Sequence, residues 1–104
     1  MAEVRWAITA GNDLQAIENF IAKDSTLHAV NFIDRLVESS ERLLVSPEIG
    51  RSVPEFGRRD LREILFRGYR IVYLLRKNEA IILRVVHGAR DLARLVKREP
   101  WEIE

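Results

Sequence analysis

The chain has 104 residues, of which 47% are hydrophobic and 32% charged, proportions typical of one soluble globular domain. It contains no cysteine and two histidines, which excludes disulfide scaffolds, thiolate metal sites, cysteine nucleophiles and histidine-rich metal sites. No apolar run approaches the roughly 18 residues of a membrane span, and the charges of Glu3 and Arg5 are unlike a signal peptide. We therefore expect a cytoplasmic protein that binds no membrane, metal or cofactor.

Net charge differs between the two halves of the chain. Residues 1–50 carry 4 basic and 8 acidic side chains, whereas residues 51–104 carry 13 basic and 8 acidic ones. Of the 17 cations, 14 are arginines, whose planar guanidinium groups suit carboxylates and phosphates. The second half is therefore where an anionic partner would dock. The alternative is that these arginines only keep the surface soluble.

The first half of the chain predicts one strand and two helices. Residues 3–8 alternate between polar and apolar side chains, as a short strand does, and Thr9 follows as a candidate N-cap. Apolar side chains recur every three or four residues over 10–23 and again over 27–44, which is typical of amphipathic helices. Residues 24–26 interrupt the pattern and supply the second cap. So short a connection predicts an antiparallel helical hairpin.

The second half predicts a loop and then strands. Turn-forming residues concentrate in 46–60, a loop with a short extended piece at 51–53. Three strand-like runs follow, the last two separated by a three-residue turn at 77–79, and their spacing predicts an antiparallel meander. The runs are 61–67, 69–76 and 80–87. Residues 91–96 have the length for one or two helical turns, and 97–104 are read as a tail.

The order of these elements predicts an α+β fold in two layers. An N-terminal strand, an antiparallel helical hairpin and a three-stranded antiparallel meander place the helices on one side of a small sheet. We assign residues 1–104 to a single domain, with 97–104 as its tail.

Elements in this order resemble the RelE/ParE superfamily of bacterial type II toxin–antitoxin toxins. The resemblance covers nearly the whole chain, and its segments are weak singly but occur in the family's order. They are Val-Arg-Trp at 4–6, the first helix at 10–21, Ser-Pro-Glu-Ile-Gly-Arg-Ser-Val-Pro-Glu at 46–55, Leu-Arg-Glu at 61–63, Tyr-Arg-Ile-Val-Tyr at 69–73 and Arg-Val-Val-His-Gly-Ala-Arg-Asp at 84–91. The resemblance implies the family's fold and one of two activities. RelE-type members are ribosome-dependent mRNA endonucleases, whereas ParE-type members are not nucleases and poison DNA gyrase.

The RelE-type catalytic pattern is matched only in part. Cleavage at a ribose 2′-hydroxyl needs a base, charge stabilisation at the phosphate and an acid for the leaving oxygen. RelE-type toxins supply two lysines, two arginines and a downstream tyrosine. The lysine positions fall on Leu61 and Glu63, and the tyrosine position falls on Val96. Only Arg70 and Arg90 match the pattern.

A second catalytic pattern, found in a relative of the RelE branch, uses glutamate, arginine and histidine. Glu55 and Arg70 match the first two, but the histidine position falls on Gly88, one residue after His87. Because one residue reverses the face of a strand, we expect His87 to point away from such a site. If the chain is a ribonuclease, its catalytic residues are Arg70, Arg90, Glu55 and His87.

Because most of the cleavage apparatus is missing, the sequence favours a ParE-like toxin. The resemblance then implies binding to DNA gyrase and neutralisation by a ParD-like antitoxin, in a hetero-oligomer. Such an antitoxin has a DNA-binding N-terminal part and a C-terminal segment that folds on the toxin. The residues that we expect to bind the antitoxin or the target are Arg58, Arg59, Arg62, Arg70, Arg90 and Trp101. The outer face of the helices is expected to contribute to the antitoxin contact.

Each candidate also has a purely structural interpretation. Arg70 would pair with a local carboxylate, Arg90 would fix the chain end to the sheet, and His87 would be a structural histidine. Glu55 would be solvated in its loop. The alternatives to a gyrase inhibitor are a ribosome-dependent endoribonuclease and a degenerate member that binds its antitoxin without being toxic.

Overall fold

A computed structural model describes residues 2–88, 90 and 92–94 of the chain. Part of the predicted helical segment at 91–96 is seen as a turn of helix at 92–94. Trp101, the predicted tail at 97–104 and Val96 lie outside the described residues.

The helices form a hairpin that begins directly after the first strand. Helix α1 covers Ile8–Ala22, α2 covers Thr26–Ser40 and the short α3 covers Arg42–Val45, followed by a 3-10 turn at Pro47–Ile49. Ser25 is the N-cap of α2, and its hydroxyl accepts a hydrogen bond from the His28 amide at 3.1 Å. Within the described residues, no helix is long and apolar enough to cross a membrane.

Two sequence-based predictions about the helices are wrong in detail. Helix α1 begins at Ile8 rather than after Thr9, and the Thr9 hydroxyl donates instead to the Leu83 carbonyl at 2.7 Å. Helix α2 ends at Ser40 rather than at residue 44. The Ser40 hydroxyl donates to the Val37 carbonyl at 2.6 Å, a local bond of the kind that competes with continued helix.

The described residues contain one sheet of five strands, in the spatial order β1-β5-β4-β3-β2. The strands are β1 (Glu3–Trp6), β2 (Arg51–Ser52), β3 (Leu61–Phe66), β4 (Tyr69–Arg76) and β5 (Glu79–His87). The predicted meander is β3-β4-β5, extended by β2, which is antiparallel to β3, and by β1, which is parallel to β5. The α+β fold with its N-terminal strand and helical layer is thus confirmed.

The turn between β4 and β5 is shorter than predicted. Arg76 pairs directly with Glu79, so the loop has two residues rather than the three assigned to 77–79. Asn78 takes the left-handed conformation there, with a φ of 57°, which asparagine tolerates better than most residues.

A register shift between Val72 and Tyr73 marks a bulge in the β4–β5 ladder. Beyond Ile82, where the pairing with β1 ends, α1 side chains bind the edge of β5. The Asp13 carboxylate accepts a hydrogen bond from the Val85 amide at 2.8 Å and forms an ion pair with Arg84 at 2.8 Å. Helix α1 is therefore fixed along β5 by polar contacts as well as by packing.

The sheet has apolar residues on both faces. The helix-facing core contains Ile64, Ile71, Tyr73 and Ile82, against Leu36 and Ile17 of the helices. The opposite face contains Leu61, Val72, Leu74 and Val86, and it is covered by Val53 and Phe56 of the loop after β2 and by Leu92. The loop that carries the candidate Glu55 is thus packed on the second face of the sheet.

Tyr73 joins the sheet to the segment that leads into β2. Its hydroxyl accepts a hydrogen bond from the Gly50 amide at 2.9 Å and donates one to the Pro47 carbonyl at 2.6 Å. A Cβ on Gly50 would lie 2.6 Å from that hydroxyl, so only glycine fits so close to the ring. These contacts position β2, and with it Arg51, beside β3.

Candidate functional site

The candidate site is a chain of alternating charges on the second face of the sheet. Arg70 Nε donates to Glu63 Oε1 at 2.6 Å, and Arg70 Nη1 and Nη2 each donate to one oxygen of Glu55 at 2.7 Å. The other oxygen of Glu63 accepts a hydrogen bond from Arg51 Nε at 2.7 Å. We call these four residues the arginine–glutamate cluster.

Strand geometry explains why the cluster forms. Arg70 lies opposite Leu65 in the β3–β4 ladder, so Glu63, two residues from Leu65, is its diagonal neighbour on the same face. Glu63 is itself paired with Arg51 of β2. Glu55 lies in the loop after β2. Val53, two residues earlier, is fully buried, and its burial anchors this loop on the sheet.

Burial makes the charge balance of the cluster important. The side chain of Arg70 is 7% exposed and that of Glu63 is 0% exposed, so neither ion is stabilised by bulk water. The two carboxylates are matched by two guanidinium groups, and each arginine donates from Nε to Glu63. The cluster is therefore electroneutral, and the buried ions satisfy one another.

The hydrogen bonds shift the ionisation of the cluster in the expected directions. The bidentate hydrogen bond from Arg70 lowers the pKa of Glu55 to about 2, from an ordinary value of 4.5. The same bond to Glu55, with that to Glu63, raises the pKa of Arg70 further above its already high value. Both partners are thus charged throughout the physiological pH range.

An open cleft of about 350 Å³ lies beside the cluster. Its wall includes Glu55, Arg70 and Gly68, together with the side chain of Leu65, which is 57% exposed. Since Arg70 already donates to two carboxylates, a phosphate entering this cleft would compete with Glu55 for its guanidinium group.

The sheet separates the residues of the second catalytic pattern. Arg70 and Glu55 lie on the loop-covered face. The imidazole of His87 packs edge-on against the ring of Tyr69, with 5.6 Å between the ring centroids, and Tyr69 packs on the helix-facing core. His87 therefore lies on the face opposite Arg70, as the one-residue offset predicts. Gly88 lines the cleft in its place.

The RelE-type pattern is not assembled either. Leu61, at one lysine position, is fully buried, and Glu63, at the other, is the inner carboxylate of the cluster. Arg90 is exposed, and its amide donates to the His87 carbonyl at 3.0 Å. The structure brings Arg70 and Glu55 together as an ion pair.

Of the three arginines at 58, 59 and 62, in the loop before β3 and at its start, two are bound within the chain. Arg58 forms a bidentate ion pair with Asp60, at 2.7 and 2.9 Å, which lowers the pKa of that carboxyl. Arg62 donates to the carbonyls of Arg59, Glu48 and Gly50 at 2.9 to 3.0 Å. Within the described part of the chain, the exposed side chain of Arg59 makes neither an ion pair nor a hydrogen bond, unlike those of Arg58 and Arg62.

Part of the cluster does not follow from the sequence patterns. The catalytic pattern marks Glu63 only as the wrong charge at a lysine position, and the interpretation of Glu55 as solvated is wrong because Glu55 binds Arg70. A usable signal was present: Glu63 and Arg70 lie on the same face of adjacent strands once the turn at residues 67–68 is fixed. No local pattern reports Arg51, which reaches Glu63 through the pairing of β2 with β3.

The family of this chain follows from comparison with known proteins. A family model described as the ParE toxin of the type II toxin–antitoxin system, parDE, matches residues 4–92. The chain belongs to the ParE toxin family. Among the described residues, the match includes every helix and strand except the first residue of β1 and the last two residues of the helical turn at 92–94, and thus the whole arginine–glutamate cluster. A search of curated proteins found no match.

The fold of this ParE-family chain also matches a solved structure. That structure is described as the chromosomal ParDE system from P. aeruginosa, and the two chains share 22% identity. The match covers 84% of this chain and 96% of the other, with a TM-score of 0.70. The ParE fold is therefore retained at low sequence identity.

The cluster predicts how stability depends on pH. Because folding lowers the pKa of Glu55 to about 2, its contribution to stability is complete above pH 4.5 and is lost as the pH falls from 4.5 towards 2. We expect Glu55→Gln to lower the free energy of unfolding at pH 7 and to differ little from the native chain near pH 2. Urea denaturation across this pH range measures the difference.

Glu18→Gln, on α1, is the control for removal of a carboxylate, since Glu18 makes no ion pair within the described residues. If Glu55→Gln lowers the free energy of unfolding at pH 7 no more than Glu18→Gln does, the ion pair between Glu55 and Arg70 does not stabilise the fold.

Proposed function

We propose that this ParE-family toxin inhibits DNA gyrase by binding it, in the cytoplasm, and that a cognate ParD-like antitoxin neutralises it. Membership of the family supports the toxin assignment. The gyrase target and the antitoxin contact are inferred from the family and from the chemistry of the described surface.

The proposal rests on the hydrogen bonds that Arg70 makes within the chain. Stabilising charge on a scissile phosphate requires a cation whose donors point at the phosphate. All three nitrogens of the Arg70 guanidinium donate to Glu55 or Glu63 instead. The geometry supports a structural role for this arginine, as the tie between the loop and the sheet.

Proton transfer is the second requirement of a nuclease, and the described residues around Arg70 do not favour it. Glu55, with its pKa at about 2, is a weak base because Arg70 stabilises its charged form. His87, on the other face of the sheet, is separated from Arg70 by the backbone of β4. A protein that binds its target and does not cleave it fits this arrangement better than a ribonuclease does.

The antitoxin is proposed to contact the surface formed by Arg58, Arg59 and Arg62, with Arg90 and Trp101 as further candidates. The internal bonds of Arg58 and Arg62 leave Arg59 as the arginine most available to an acidic partner. We do not propose Arg70 as a contact of the antitoxin, because its side chain is buried. Charges at such a surface increase the association rate and the selectivity for an acidic segment.

A supercoiling assay tests the proposed target. We expect the purified chain to block supercoiling of relaxed plasmid by gyrase and to cause cleaved DNA to accumulate, while mRNA on translating ribosomes stays intact. Relaxation of the negatively supercoiled form of the same plasmid by bacterial topoisomerase I is the control, since non-specific coating of DNA by arginines would inhibit both enzymes. Cleavage of mRNA at ribosomal A-site codons with normal supercoiling would overturn the proposal.

Titration calorimetry with the cognate antitoxin tests the proposed contact. We expect Arg59→Ala to weaken binding about fivefold, which corresponds to about 1 kcal/mol, with a smaller loss at high salt. Arg67→Ala is the matched control, because Arg67 is an exposed arginine in the turn at the other end of β3. Equal affinities of the native chain and Arg59→Ala would exclude this surface.

A further inference from the structure

A second cleft, of about 530 Å³, lies between α2 and the outer edge of β1. Apolar side chains form part of its lining, with Val4 and Trp6 from the strand and Val37 and Leu44 from the helices. Val4 and Trp6 are half-buried and pack against the helix-facing core, so this apolar surface is continuous with the interior. The cleft is at the opposite edge of the sheet from β2 and Arg51.

The backbone at this edge has unused hydrogen-bonding groups. Glu3 donates to Asn78 and Ala7 donates to Ile82, so the odd-numbered residues of β1 face β5. The even-numbered residues face outward, and Ala2 indeed donates away from β5, to the Leu44 carbonyl at 2.9 Å. Among the described residues, the outward amides of Val4 and Trp6 have no hydrogen-bond partner. This is an edge that accepts a further strand.

The charged side chains that line the cleft are all acidic. Asp34, Glu38 and Glu41 belong to its lining, and none of the described lining residues is basic. Asp34 and Glu38 lie four residues apart on one side of α2, and Glu41 is the C-cap residue that follows the helix. No ion pair within the described part of the chain neutralises any of the three.

We propose that this cleft binds an extended, cationic segment of a partner protein, which adds a strand along β1. Such a segment would hydrogen-bond to the free amides of Val4 and Trp6 and turn one face, made of every second side chain, towards the cleft. On that face, apolar side chains would contact the apolar lining, and lysine or arginine would face Asp34, Glu38 and Glu41. The inference is independent of the gyrase target and of the arginine surface at 58–62, which fits an acidic partner instead.

The probe is a blocked eight-residue peptide with valine and lysine alternating along one face of the strand and threonine on the other face, titrated into the isotopically labelled chain. We expect the amide signals of Val4 and Trp6 to shift and their hydrogen exchange to slow. Glu38→Lys should weaken binding about tenfold, because it removes one carboxylate and adds a repelling charge. Glu18→Lys, outside the cleft on α1, should bind as the native chain does.

Two control peptides separate the parts of the proposal. Replacing lysine with glutamate should abolish binding, and replacing two valines with proline should do so because proline cannot pair as a strand. Binding of either control peptide as tightly as the probe peptide would overturn the proposal. So would unchanged amide signals of Val4 and Trp6 at millimolar concentrations of the probe peptide. A dimer of the native chain that Glu38→Lys dissociates would also overturn it, since the cleft would then bind a second copy.

Discussion

The structure of the second face of the sheet depends on one buried cation. Arg70 is held by Glu63 from β3 and by Glu55 from the loop after β2, so a single guanidinium joins two strands and the loop that covers them. Removing one partner of a buried ion pair costs about 3–5 kcal/mol, because the remaining charge is left without compensation. This constraint has a functional consequence: an arginine held in this way stabilises the fold, and its charge is already balanced by two carboxylates that a phosphate would have to compete with.

The resemblance to the RelE/ParE superfamily implies that nucleases and non-nucleases share this fold and differ in a few side chains on the sheet. At one lysine position of the nuclease pattern this chain has the buried Leu61, and at the other it has Glu63, which ties Arg70 down. A carboxylate in place of a lysine therefore removes a catalytic cation and neutralises a second one. The two edges of the sheet differ in charge. Arginines lie near the β2–β3 edge, and carboxylates lie near the edge of β1.

Periodicity in the sequence predicts the helices, the meander and the two-layer architecture, because each of these depends on local repeats of apolar residues. It does not predict how β1 and β2 join the sheet or where α2 ends, which depend on contacts between distant residues such as Ala7 with Ile82. For the site, family resemblance singles out Arg70 and Glu55 but not their pairing. Their partner Glu63 follows only from the register of β3 and β4.

Nuclear magnetic resonance of the arginine Nε–Hε groups tests the central claim most directly. If Glu63 accepts the Arg70 Nε–H bond as the structure shows, that proton exchanges slowly with water. Its signal also stays unchanged when a short oligoribonucleotide is added. Rapid exchange comparable to that of an exposed arginine, or a shift of the Arg70 signal on adding RNA, would show that this cation is free to bind phosphate.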